Sequence, residues 1–173
     1  MDRVETGIVL AQVIYQGGSM QKIKKILAPT DMSELSSVGV RYALEMAKEL
    51  TAEVIVYYAV PLSEDWFSGH EKHGPVRSLL ADEEAALDKF LVEKFTDDMK
   101  HVGIRQKTEF GVPHSSIVEM AEAEGADIIV MSTHGRTGLS HMLLGSVTER
   151  VVAHAPCPVL AIPSHVRPTA KAA

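Results

Sequence analysis

Short apolar runs and longer stretches of helical periodicity take turns along the chain. Ile23 to Ala28 is apolar and followed by Pro29, which predicts a buried strand of a parallel sheet. Leu35, Val38, Tyr42, Met46 and Leu50 recur every three or four positions, predicting an amphipathic helix from about Ser33 to Leu50. Glu53 to Val60 is a second β-rich run, stopped by Pro61. Residues 61 to 77, with Gly69, Gly74 and Pro75, read as a loop. Leu80, Leu87, Leu91, Phe95 and Val102 predict a long second helix ending near Gly103. Ile104 to Phe110 alternates as a more exposed strand does, and Pro113 suits the first turn of a third helix running to Glu124. Asp127 to Met131 predicts a fourth strand, Ser146 to Ala155 a fourth helix, and Val159 to Ile162 a fifth strand.

Strands alternating with helices imply an α/β fold with a mainly parallel sheet. Such sheets take ligands at the carboxyl ends of their strands, where strand order reverses. If the first and fourth strands are neighbours, Pro29-Thr30-Asp31 and Met131 to Gly138 share one rim. Residues 1 to 20 stand apart from the alternation and end in the flexible junction Gly17-Gly18-Ser19. They are expected to form an extra strand or a mobile arm. Residues 21 to 164 then form one domain, and 165 to 173 a tail.

Composition narrows the function. Seventeen basic against 23 acidic residues give a net charge of −6, so no general nucleic-acid partner is expected. The single Cys157 has no internal partner for a disulfide, which favours a reducing, cytoplasmic setting. No apolar run reaches membrane-spanning length. Residues 7 to 15 come nearest, but they lack a basic lead and a small-residue cleavage site, so neither a membrane span nor a signal peptide is expected.

The loop after the fourth strand carries Gly135 and Gly138 and meets Gly145-Ser146 at a helix start. Glycine lets backbone approach a ligand closely, and a helix N-terminus offers N–H groups and a positive dipole end. The pair reads as a phosphate site wide enough for a polyphosphate. Ser146-Val-Thr-Glu149 also has capping-box spacing, and ligand binding is weighed above capping alone. Asp31-Met-Ser-Glu34 has box-like spacing too, so Asp31 reads as a helix cap and equally as a nucleoside contact, two roles that are compatible. His134 and His141 lie seven apart without a cysteine or carboxylate cluster, so no metal site is expected; both read by default as ordinary exposed histidines, with His134 able to approach phosphate. His70 and His73 read as ordinary loop histidines, and Cys157 has no activating base. Trp66-Phe67 anchors a partner, covers a pocket or folds back on the core. No Gly-Lys-Ser/Thr phosphate loop and no Gly-x-Gly-x-x-Gly occurs.

With these motifs the chain resembles the universal stress protein family over nearly all of residues 20 to 163. Nucleotide-binding members share Gly-x2-Gly-x9-Gly-Ser/Thr after the fourth strand. Here Gly135 is the middle glycine, nine residues follow, and Gly145-Ser146 completes the pattern, while Ser132 replaces the first glycine. Pro29-Thr30-Asp31, Asp127-Ile-Ile-Val130 and Pro156-Cys-Pro-Val-Leu160 are similar to the family as well. The resemblance implies a flavodoxin-like (adenine nucleotide alpha hydrolase-like) five-stranded parallel sheet of order 3-2-1-4-5 with helices on both faces. It implies ATP binding, with Asp31 and Ala59 at the adenine, Pro29 and Thr30 close by, and Met131 and Ser132 near the ribose. His134, Gly135, Arg136, Gly145, Ser146 and Val147 would surround the triphosphate, assisted by Mg²⁺ or Mn²⁺. It also implies a homodimer through the last strand.

The function expected is therefore an ATP-binding stress-response or signalling module, with slow hydrolysis left open. An ATP-using nucleotidyl or phosphoryl transferase and an ATP-independent dimeric interaction protein stand as alternatives. The absence of an acceptor-substrate motif disfavours the enzyme.

Overall fold

The computed structural model describes residues 22–61, 76–134 and 144–163. Strands β1 (Lys25–Pro29), β2 (Glu53–Val60), β3 (Gly103–Phe110), β4 (Ile128–Ser132) and β5 (Val159–Ile162) alternate with helices α1 (Glu34–Leu50), α2 (Val76–Phe95), α3 (Pro113–Glu124) and α4 (Ser146–His154). The strands form one sheet of order β3-β2-β1-β4-β5, and every pairing is parallel. The expected α/β architecture and strand order are both present.

Alternation along each strand divides the core in two. Ile26, Ala28, Val54, Val56 and Tyr58 pack with Val40, Ala43 and Leu44 of α1 and Leu87 and Leu91 of α2 on one face. Leu27, Ile55, Tyr57 and Ala59 pack with Ile117 and Met120 of α3 and Val151 of α4 on the other. The near-continuous apolar runs of β1, β2 and β4 follow from burial on both faces. The β3 edge instead exposes Arg105, Gln106 and Glu109, as its alternating sequence predicts.

Several boundaries differ from the sequence expectation. The second helix stops at Phe95, and Asp98–His101 form a short 3-10 turn before β3. The Thr96 hydroxyl donates back to the Val92 carbonyl, and Thr96-Asp97-Asp98 is a run of residues whose side chains compete for backbone hydrogen bonds. The fourth strand begins at Ile128 rather than Asp127. The Asp127 carboxylate is instead occupied with the N–H groups of Lys24 (2.8 Å) and Lys25 (2.9 Å), closing the entry to β1.

One close approach fixes the helix beside the site. A Cβ at Gly39 would stand 2.6 Å from Ser132 N and 2.8 Å from the Met131 carbonyl carbon. Only glycine lets α1 lie this near the carboxyl end of β4 without moving backbone.

Candidate functional site

Strand order reverses at β1, which pairs with β2 on one side and β4 on the other. The helices leaving β1 and β4 depart to opposite faces, and a cleft of about 250 Å³ opens above their carboxyl ends. Pro29, Thr30, Asp31 and Ala59 line it from β1, the β1–α1 turn and β2. Met131, Ser132 and His134 line it from β4, and Gly145, Ser146 and Val147 from the start of α4. Gly135 and Arg136 lie outside the described residues, as do Gly138, His141, residues 1–20, Trp66, Phe67, His70, His73 and the tail.

The β1–α1 turn is held by side chains. Met32 takes φ 60, a left-handed backbone that costs a non-glycine residue about 1–2 kcal/mol. Its N–H donates to Thr30 Oγ1 (3.0 Å), and the Ser33 N–H donates to Asp31 Oδ1 (3.0 Å). Thr30 Oγ1 lies 2.9 Å from Ser36 Oγ, which donates to the Ser33 carbonyl (3.0 Å). The α1 cap is Ser33, whose side chain accepts from the Ser36 N–H (3.1 Å). Asp31 is thus not the helix cap. It stands two residues earlier, shaping the turn at the cleft wall.

At the other wall the capping box of Ser146 and Glu149 is absent. Gly145 is the N-cap residue of α4 and Ser146 the first helical residue, with no side-chain cap bond. The first intrahelical bond runs from the Glu149 N–H to the Gly145 carbonyl (2.9 Å), so the N–H groups of Ser146, Val147 and Thr148 precede it. Gly145 holds φ −70, so its conformation does not demand glycine. Space is tight there: a Cβ would stand 3.1 Å from the Thr133 carbonyl oxygen, which would have to give by a few tenths of an ångström.

Ser132, the residue in place of the first motif glycine, sits in β4 and is buried. Among the described residues only Met32 and Thr51 are non-glycines with positive φ, so Ser132 carries no such strain. Its hydroxyl donates to the His134 carbonyl (2.7 Å) and so shapes the exit of the strand. His134 Nδ1 lies 2.9 Å from Thr133 Oγ1.

The cleft also contains residues that sequence reasoning missed. Ser36, Thr133 and Thr148 are buried polar residues lining it, and Tyr57, Pro113 and Ile117 add an apolar back wall. Thr148 shares the buried helical phase with Val151 and Ala155, a spacing that marks it as inward-facing. The Tyr57 hydroxyl has no hydrogen-bond partner, although Ser116 and Glu109 are its polar neighbours. Burial, and then the Glu109 charge, push its pKa up to about 12, so it stays protonated. Among the described residues lining the cleft there is no lysine or arginine. An anion there would meet backbone N–H groups and the positive end of α4. Cys157 is half-buried, and burial followed by the Asp127 charge raises its thiol to about 11, which keeps it unreactive.

A parallel sheet in this order, with a small-residue cleft at the switch point and an uncapped helix start facing it, defines a fold that many solved proteins share. The sequence model of the Universal stress protein family matches residues 22–163, and the chain belongs to that family. Universal stress protein MJ0531 of Methanocaldococcus jannaschii is 41% identical over 160 residues, covering 89% of each chain. The solved structure of MJ0577 from the same organism superposes with a TM-score of 0.66 at 32% identity, covering 83% of this chain and 97% of that one. A universal stress protein in complex with cAMP shares the fold at a TM-score of 0.63 and 22% identity, covering 82% of this chain and 98% of that one. Among the described residues no helix is long and apolar enough to cross a membrane.

Proposed function

We propose that this chain is an ATP-binding stress-response or signalling module whose nucleotide lies in the cleft at the ends of β1 and β4. The observation that carries the reading is the uncapped first turn of α4. Its leading N–H groups sit beside a glycine whose Cβ would stand in tight contact, 3.1 Å, with the Thr133 carbonyl oxygen. Backbone donors without a capping side chain, at the positive end of a helix, suit phosphate oxygens. Pro29, Thr30, Asp31 and Ala59 line the side of the cleft assigned to the base, with Met131 and Ser132 between base and phosphates at the ribose. His134, Gly145, Ser146 and Val147 take the phosphates, with Gly135 and Arg136 contributed by the loop that follows.

Polyphosphate brings more negative charge than one helix dipole offsets. Mg²⁺ or Mn²⁺ carried on the phosphates completes the reading, a mode of binding that needs few protein ligands. Among the described residues no group of three His, Cys, Asp or Glu side chains could hold a metal ion, so the phosphates would be its main ligands. Slow hydrolysis is compatible with this reading and not required by it. The same reading has the protein cytoplasmic and dimeric through β5, which lies at the sheet edge among the described residues.

Titration calorimetry of the full chain with ATP and Mg²⁺ tests the proposal. A saturable heat is expected, and Gly145→Val should abolish it with the fold retained, because a branched side chain would press on the Thr133 carbonyl. No heat and no displacement of a fluorescent ATP analogue would exclude ATP as the ligand.

A further inference from the structure

The chain leaves β4 at Thr133-His134 and returns at Leu144-Gly145, and the two ends are stitched together at two carbonyl groups. The Thr133 carbonyl accepts the Gly145 N–H at 2.8 Å. It also lies 3.3 Å from Thr148 Oγ1, whose hydroxyl reaches the Ser132 carbonyl at 3.1 Å. A threonine hydroxyl has a single proton, so the two carbonyls share one donor. Thr148 is 3% exposed, so this donor is withdrawn from water. The acceptors themselves are fixed, since the Thr133 N–H donates to the Ile162 carbonyl of β5 at 2.8 Å. Thr148 thereby fastens the first turn of α4 to the rigid end of the sheet.

We infer that Thr148 is a positioning residue that makes the cleft select phosphorylated nucleotides over the bare nucleoside. The inference rests on the nucleotide reading above and extends it to a residue with no phosphate contact of its own. Thr148 lines the cleft, but its proton is committed to the strand carbonyls. It acts through the Ser146 and Val147 N–H groups, whose height over the cleft it sets. Preorganised donors bind an anion without first having to be ordered. The base and ribose walls come from β1, β2 and β4; Ser132 shares this bond through its carbonyl, but sheet pairing holds these strands without it.

The test compares ATP and adenosine affinities of the full chain carrying Thr148→Val, Thr148→Ala or Thr148→Ser, with circular dichroism to follow folding. Thr148→Val keeps the shape and removes the hydroxyl. It should weaken ATP roughly tenfold and leave adenosine within about twofold, since one buried hydrogen bond is at stake. Thr148→Ala should behave the same way, and Thr148→Ser should restore the preference for ATP. A role in packing alone would weaken both ligands together and would not be rescued by serine. An unchanged ATP-to-adenosine ratio in a folded Thr148→Val protein overturns the inference while leaving the nucleotide site standing. Unfolding of both hydroxyl-free variants also overturns it, because the bond would then hold the fold and not the phosphates. A parent protein that binds neither ligand removes the nucleotide reading, and this inference with it.

Discussion

Among the described residues, Tyr57 carries a buried hydroxyl that no hydrogen bond satisfies, with Ser116 and Glu109 as its polar neighbours. An unpaired buried hydroxyl keeps its desolvation cost and returns nothing. Tyr57→Phe should therefore leave stability unchanged or raise it by about 1 kcal/mol, read from the urea midpoint. A loss of more than about 1 kcal/mol would show that the hydroxyl is bonded in solution. Single residues also show what the sequence can disclose. Gly145 and Ser146 are legible because glycine before a helix start has a physical meaning; Asp31 was legible as a cap or nucleoside contact after the first strand, whereas Ala59 entered through family resemblance. Thr148, Ser36 and Tyr57 were not legible. Their partners are carbonyls and side chains brought close only by the fold, and one polar residue on an inward helical phase does not announce them. Ser132 is extended and buried, so the motif's missing glycine removes a small residue without adding backbone strain.

The ends of β2, β3 and α3 are tied by an ionic cluster opposite the cleft. Arg105 pairs with Glu53 and reaches Glu124 at 2.8 Å, and Lys107 reaches the other Glu124 oxygen at 2.7 Å. Hydrogen bonds from Arg105 and then Lys107 lower the Glu124 pKa from about 4.5 to about 2. A carboxylate with a depressed folded pKa stabilises the protein above its unfolded pKa, and that contribution fades as pH falls from 4.5 towards 2. Glu124→Gln should lower the urea midpoint at neutral pH, and the gap to the parent should close through that window. A gap that stays constant on acidification would show that the cluster does not couple to folding. Elements of this kind were largely legible, because strands buried on both faces read as apolar runs and helices as periodic ones. Their ends were less so. Ser33 took the cap that Asp31 had the spacing for, and the long second helix broke after Phe95, since hydroxyl and carboxylate competition is decided by local geometry.

Alternation of elements implied a parallel sheet and the family resemblance its strand order, and the neighbouring of β1 and β4 is what brings the two distant loops to one rim. The same order leaves β5 at an edge, with Pro158 and Pro163 bounding Val159–Ile162. A short apolar edge between prolines can pair with its twofold mate and stop there. Sedimentation should show a dimer at micromolar concentration, weakened by Leu160→Glu. A monomeric parent would refute the dimer, and a dimer indifferent to Leu160→Glu but lost on deleting residues 1–19 would move the interface to the N-terminal arm. Amide-resolved NMR during titration with ATP and Mg²⁺ tests most directly whether the cleft at the ends of β1 and β4 is a nucleotide site. Saturable shifts centred on Asp31, Ala59, Ser132 and Gly145 to Val147 are the predicted result. No shifts, or shifts confined to residues away from the ends of β1 and β4, would contradict it.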